Sequence, residues 1–373
     1  MIKNILLVIF STVIGILFAE LFARLLINGP DQKPSTGDPY KLYEFDNKLG
    51  WKNKSNYQGV FERDEFKFEV NFNSEGMREK EVFIKKPKNK KRIAVMGDSF
   101  TWGVGVKDSE RFTNIVENKN NDRFEVLNFG VSGYGPIQYL LQLDKILEFN
   151  PDIIFIAFCL GNDFADNVFY NRYGYYKPFT VLNDSSEIDV HGYPLPRVHE
   201  FNTNYQFVEH PFLKSILKNS QLNSLIHSFL LKKGYIVQKF PNQAGHIGTD
   251  EHQRDIYIPN FSEQSTMYMK DMSDVNKKIL AKIRDRLKTK NIKLSIIVTP
   301  TKCEYGSCFR PFDYKKNNNA RNLLIEDLKE LKINYIDNTD SLNLVDFWED
   351  DGHWRPSGHI KIADGILKWL LNE

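Results

Sequence analysis

RIAVMGDSF (92–100) is an apolar run that stops abruptly in a polar turn, and the fold is read outward from it. Its apolar residues do not alternate with polar ones, which is the pattern of a strand covered on both faces in a parallel sheet. FEVLNFG (124–130), DIIFIAFC (152–159) and KLSIIVTP (293–300) repeat the pattern, and INYIDNT (333–339) repeats it more weakly. Helical periods lie between them. Tyr139, Leu140, Leu143, Ile146 and Leu147 share a face over 136–149, and Val275, Ile279, Leu280, Ile283 and Leu287 share one over 275–287. The stretches 320–331 and 357–371 also read as helices. Alternating strand and helix predicts a three-layer α/β/α sandwich with a parallel five-stranded sheet.

The chain has 373 residues, enough for two or three domains or for one large domain with insertions. Lys and Arg total 50 against 48 Asp and Glu, a net charge of +2, which argues against a protein that coats nucleic acid. With 41% hydrophobic and 13% aromatic residues, general disorder is excluded. Three cysteines exclude a disulfide-rich scaffold and a four-cysteine zinc site.

The apolar residues are unevenly spread. ILLVIFSTVIGILFA (5–19) is unbroken and continues to Ile27, interrupted only by Glu20 and Arg24. As a helix, residues 5–27 would reach about 34 Å, enough to span a bilayer core. Leu17 and Leu21 stand where a signal-peptide cleavage site wants small residues, so an uncleaved anchor over residues 1–28 is expected. Lys3 favours a cytoplasmic N-terminus, which puts the remainder outside the cytoplasm. There, Cys303 and Cys308 either pair locally or remain two thiols, since spacing alone does not fix the geometry. Cys159 reads as a core residue.

Residues 29–91 read as a linker and a small pre-domain, and 92–373 as the main domain. FKFEVNF (66–72) alternates strictly and predicts a half-buried strand. KKPKNKKR (85–92) can serve an anionic partner, but a solvated loop before a buried strand is the plainer expectation. From about 164 to 263 no clean period exists, and the stretch reads as an insertion or lid over the strand ends. Its histidines (191, 199, 210, 227, 246 and 252) lack tight metal-ligand spacing. Tyr170 to Tyr176 reads as aromatic core or surface, with sugar stacking as the functional alternative.

In sheets of this class ligands bind beyond the carboxyl ends of the strands, and polar motifs stand there. Ser99 follows the first strand in a tight turn, a placement that suits a nucleophile and equally a helix N-cap. NFGVSGYG (128–135) follows the second and offers glycine backbone to a ligand or simply turns the chain. Asn162 follows the third, able to donate to an oxyanion or to cap a helix. Asp350 and His353 stand three apart in DDGHW (350–354), a spacing that lets a carboxylate reach an imidazole. Each signal alone is weak; the ordered set at strand ends is not.

From about Arg92 onward the chain resembles the SGNH/GDSL hydrolase superfamily. GDSF (97–100) resembles its first block, NFGVSGYG its second, LGND (160–163) its third and DDGH (350–353) its fifth. Leu160 stands where the third block usually has glycine, and Phe100 replaces leucine in the first. LGW (49–51) and NSEGMR (73–78) are similar to the pre-domain of membrane-anchored bacterial members. The resemblance implies a flavodoxin-like sheet order and a triad of Ser99, Asp350 and His353. It also implies an oxyanion hole from Ser99, Gly133 and Asn162, and no metal or cofactor. Asp351, one position off the motif, is expected to be a loop residue, and His359 a packing or surface histidine.

The implied activity is hydrolysis of an ester through an acyl-enzyme, the substrate being an ester or an acylated glycan or lipid of the cell envelope. An O-acyltransferase using the same triad and a non-catalytic envelope protein on a relic hydrolase fold are the alternatives. The expected partners are that substrate and, through residues 5–27, a membrane; nucleic acid is not expected, and oligomeric state is left open.

Overall fold

A computed structural model describes residues 11, 15, 17–19, 42–120, 122–167, 171–172, 175–182, 185–192, 195, 245–249, 255–258, 265–305 and 314–372. Residues 36–199 and 259–373 form one compact unit. A second unit comprises 1–35 and 200–258, and its described part includes an antiparallel hairpin, Gly245–Thr249 with Asp255–Ile258. Nearly all of the expected anchor over 5–27, most of the insertion and the Cys303–Cys308 pairing lie outside the described residues. Among the described residues no helix is long and apolar enough to cross a membrane.

In chain order the first unit opens with two hairpins. β1 (Tyr43–Asp46) pairs with β2 (Gly50–Asn53), and β3 (Gln58–Arg63) pairs with β4 (Phe66–Asn71). β4 is the strand read from FKFEVNF: Phe66, Phe68 and Val70 are buried while the residues between them are exposed. Then come β5 (Lys91–Gly97), α1 (Ser99–Trp102), α2 (Phe112–Lys119), β6 (Phe124–Asn128), α3 (Pro136–Glu148), β7 (Ile153–Cys159) and α4 (Asp163–Asp166). Two short hairpins follow, β8 (Asn171–Arg172) with β9 (Tyr175–Tyr176) and β10 (Phe179–Leu182) with β11 (Ile188–His191). With the second-unit hairpin counted as β12 and β13, the chain continues through α5 (Ser265–Lys288), β14 (Lys293–Thr299), α6 (Tyr314–Glu330), β15 (Asn334–Asp337) and α7 (Pro356–Leu371).

All five expected strands form one parallel sheet, ordered β15-β14-β7-β5-β6. In chain order that is 2-1-3-4-5, a doubly wound sheet. Helices cover both faces. Leu143 and Ile146 of α3, Ile279 and Ile283 of α5, and Leu324 and Leu328 of α6 pack on one side with Ile154, Ile156 and Val298. Phe112 and Val116 of α2 and Ile362 and Ile366 of α7 pack on the other with Ile93, Val95 and Phe155. Burial on both faces explains why the strands are near-continuous apolar runs. α2 is absent from the expectations because its eight residues, FTNIVENK, carry only a short apolar stripe.

The hairpins of β1–β4 do not form a core of their own. Trp51, Phe61, Phe68 and Val70 belong to the same cluster as the α3–α5 face of the sheet. Trp51 Nε1 donates to the Ser132 carbonyl at 3.1 Å, and the Tyr134 hydroxyl donates to the Trp51 carbonyl. These hairpins are therefore tied to the loop after β6, next to the strand ends.

Candidate active site

β5 ends at Gly97, and the chain turns at once into the one-turn helix α1. Asp98 caps that turn by accepting the Phe100 N–H at 2.9 Å, which lifts Ser99 to the first helical position. Gly103 closes the turn with φ +89°, its N–H returning to the Ser99 carbonyl at 3.0 Å. Buried Arg78 holds the next stretch, donating to the Gly103 and Val106 carbonyls at 2.7 Å each and lying over the rings of Phe68 and Trp102. NSEGMR thus acts as a brace for the loop behind Ser99. Burial pushes the Arg78 guanidinium down to about 9, so it remains charged at neutral pH.

His353 reaches Ser99 from the loop before α7. Its Nε2 lies 2.7 Å from the Ser99 hydroxyl oxygen, and its Nδ1 bonds to Asp351 Oδ1. A carboxylate only accepts, so Nδ1 carries the hydrogen and Nε2 is left to accept from Ser99. The ring is seated 4.8 Å from the centroid of Phe100.

The carboxylate on His353 is thus Asp351, and the expectation for Asp350 is corrected. Asp350 is exposed, and its recorded bond is from its backbone N–H to Glu65 at 2.8 Å. The reason is the backbone of the loop. Trp348 N–H donates to the His353 carbonyl at 2.8 Å, Phe347 bridges Trp354, and Gly352 takes φ +81°, a left-handed turn that favours glycine. This tight turn aims position 351 back at the imidazole and position 350 outward. It is secured from far away in sequence. Glu65, at the two-residue tip between β3 and β4, accepts the N–H groups of Glu349, Asp350 and Asp351 at 2.6, 2.8 and 2.8 Å. Arg63, at the end of β3, forms an ion pair with the other oxygen of Asp351. Neither hairpin residue carried a local sequence signal for this role.

Gly133 and Asn162 follow β6 and β7, the two strands that flank β5, so both stand beside the Ser99 turn. Gly133 has φ +78° within a buried loop. That loop is locked by Asn128, which donates to the Thr101 carbonyl at 2.6 Å and accepts the Gly130 N–H at 2.8 Å. Asn162 donates to Asp166 at 2.6 Å, and Asp166 is gripped by Arg172 at 2.6 Å. Asp163 folds back to accept the Cys159 N–H at 3.0 Å, and Asn167 accepts the Ile137 N–H at 2.7 Å. The loop after β6 and the turn after β7 are therefore stitched into one rigid rim.

No protein-family model and no curated protein matches the chain. Solved structures similar to it include a GDSL-like lipase from Bacteroides thetaiotaomicron, at 12% identity and TM-score 0.39, spanning 76% of this chain and 88% of that one. An esterase from Pseudoalteromonas is 11% identical with a TM-score of 0.38, over 76% of this chain and 99% of its own. An acetylxylan esterase from Geobacillus stearothermophilus is 11% identical with a TM-score of 0.38, over 74% and 93%.

The electrostatics favour a neutral imidazole. Burial, then the nearby Arg63, push His353 down to about 3, so at neutral pH it is a free base. Asp98 and Asp163 are both pushed up by burial, and the neighbouring Asp98 and Asp166 push Asp163 further in the same direction. His359 is a buried packing residue: its Nδ1 accepts the Phe112 N–H at 3.3 Å.

Proposed function

We propose that the protein is a serine ester hydrolase of the SGNH/GDSL type, acting on an acylated glycan or lipid of the cell envelope. What carries the reading is the chain of contacts Ser99–His353–Asp351, in which a hydroxyl, an imidazole and a carboxylate stand in the order that acyl transfer needs. His353 Nε2 takes the Ser99 proton as Oγ attacks the ester carbonyl, and Asp351 stabilises the imidazolium that forms. The oxyanion is held by the backbone N–H groups of Ser99 and Gly133 and by the Asn162 amide. Asn162 contacts Asp163 at 3.4 Å, a long contact whose hydrogen is available to a ligand, while Asp166 fixes the rest of the group. His353 then returns the proton to the leaving alcohol. Water, deprotonated by the same base, releases the acid and restores Ser99. The apolar run at 5–27 would hold this domain on the outer side of a membrane.

The test is hydrolysis of a short p-nitrophenyl ester and of an acetylated glycan, with covalent labelling by a fluorophosphonate. Ser99→Ala should abolish turnover and labelling together. An intact protein that neither labels nor hydrolyses would overturn the reading. Transfer of acetyl to an added sugar in preference to water would turn it into an acyltransferase.

A further inference from the structure

Because the five strands are parallel, the loops that precede them share one end of the unit, opposite the Ser99 end. That end is strongly basic. Residues 85–91, 119–123, 148–152, 288–293 and 330–333 hold eleven Lys or Arg against four Asp or Glu, in a chain whose net charge is only +2. Two of the four acids are engaged by lysines from outside these loops: Glu148 by Lys145 and Glu330 by Lys277. A third, Asp152, is held by Lys86 at 2.7 Å.

Next to KKPKNKK (85–91) stand two apolar residues turned to solvent, Phe83 at 72% and Ile84 at 51% exposure. They are not the frayed edge of a loop. The guanidinium of buried Arg92 binds their backbone. Nη2 donates to the Phe83 carbonyl and Nη1 to the Ile84 carbonyl, each at 2.8 Å, while Nε pairs with Glu125 at 2.6 Å. The fold thus presents an aromatic and a β-branched side chain on a fixed backbone, followed by five lysines.

We propose that this end of the unit docks on an anionic lipid surface. Phe83 and Ile84 enter the headgroup layer, and the lysines of 85–91 lie over the lipid phosphates. Charge complementarity names the headgroup, and the apolar pair names the bilayer, because a soluble polyanion gives Phe83 and Ile84 nothing to enter. One consequence rests on the esterase reading. β5 separates Lys91 from the Ser99 turn by roughly 20 Å at the usual rise of a strand, so the docked protein would aim Ser99 away from the bilayer, which favours the acylated glycan over a lipid of that bilayer among the proposed substrates.

The test uses the full chain in lipid nanodiscs and reads hydrogen–deuterium exchange over 83–91, which does not depend on turnover. Failure to dock and failure to hydrolyse are therefore separate results. Exchange should slow in discs containing phosphatidylglycerol, stay fast in discs of phosphatidylcholine alone, and recover at high salt. At roughly fivefold per basic residue near an anionic surface, replacing Lys85, Lys88, Lys90 and Lys91 by Gln should weaken docking by on the order of 10²–10³-fold. Phe83→Ser with Ile84→Ser should also restore fast exchange while leaving hydrolysis of a soluble ester unchanged. Equal exchange in the two kinds of disc would overturn the proposal. So would protection by soluble polyglutamate without protection by phosphatidylglycerol.

Discussion

Glu65 accepts the backbone N–H of Asp351 at 2.8 Å across a separation of 286 residues. The same carboxylate takes the N–H groups of Glu349 and Asp350, so one side chain on a hairpin tip satisfies three successive donors of the loop that carries Asp351 and His353. Charge-assisted bonds of this kind are about twice as strong as neutral ones. Removing the carboxylate leaves that loop to find its own conformation. Glu65→Ala should lower kcat by about 10–100-fold, in line with the sensitivity of catalysis to small displacements, with little change in KM. Glu65→Gln, which keeps one acceptor oxygen, should recover part of the loss. Equal kcat for Glu65→Ala and the native protein would show that the hairpin is not a positioning element.

Asp350 and Asp351 are chemically identical neighbours that the loop has given different partners: Asp351 meets His353 and Arg63, and Asp350 is exposed. Asp351→Asn would remove the charge that stabilises the imidazolium and invite the wrong tautomer at Nδ1, at a cost of about 10³–10⁴ in kcat. Asp350→Asn should stay within about twofold of native. Steady-state rates on a p-nitrophenyl ester decide between them, and a large loss in the Asp350 variant alone would reverse the assignment.

The reach and the failure of sequence reading at this site have physical causes. The five sheet strands were legible because burial on both faces writes itself into consecutive residues such as Ile153 to Cys159. Ser99, Asn162 and the glycine-rich stretch 128–135 stood out because strand ends are where such a sheet presents polar groups, while Gly133 within that stretch was singled out only by the family resemblance. Which of two adjacent carboxylates meets His353 was not legible. It depends on a left-handed Gly352, on Trp348 pairing with His353, and on Arg63 and Glu65 arriving from another hairpin. The brace from Arg78 to the carbonyls behind Ser99 is hidden for the same reason: its partners are set by tertiary packing.

Arg63 has an electrostatic as well as a geometric effect. It helps to push His353 down, and the proton-accepting form of His353 is the neutral one. The acid limb of kcat/KM should therefore lie below pH 6.5, the ordinary value for histidine. Arg63→Ala removes a positive charge near the ring and leaves Asp351 unneutralised; both raise the imidazole pKa. The limb should shift to higher pH in that variant and remain near its native position in Arg63→Lys. A pH profile that does not move would rule out the coupling.

His359 gives a stability prediction with a definite sign. Its ring is buried, stacked on Phe112 at 5.9 Å, and burial pushes its pKa down to about 3. In the unfolded chain the same imidazole titrates near 6.5. Above pH 6.5 neither state binds the proton and the group is neutral to stability. As pH falls below 6.5 the unfolded state gains a proton that the native state refuses, so stability drops, by about 3 kcal/mol at pH 4. His353 contributes in the same direction, so the informative quantity is the difference between the native protein and His359→Gln, whose amide oxygen can accept the Phe112 N–H without titrating. Urea midpoints measured at pH 7.5 and pH 4.5 should fall less in the variant than in the native protein. Parallel falls in the two would mean that His359 is protonated in the fold and that its burial does not oppose the charge.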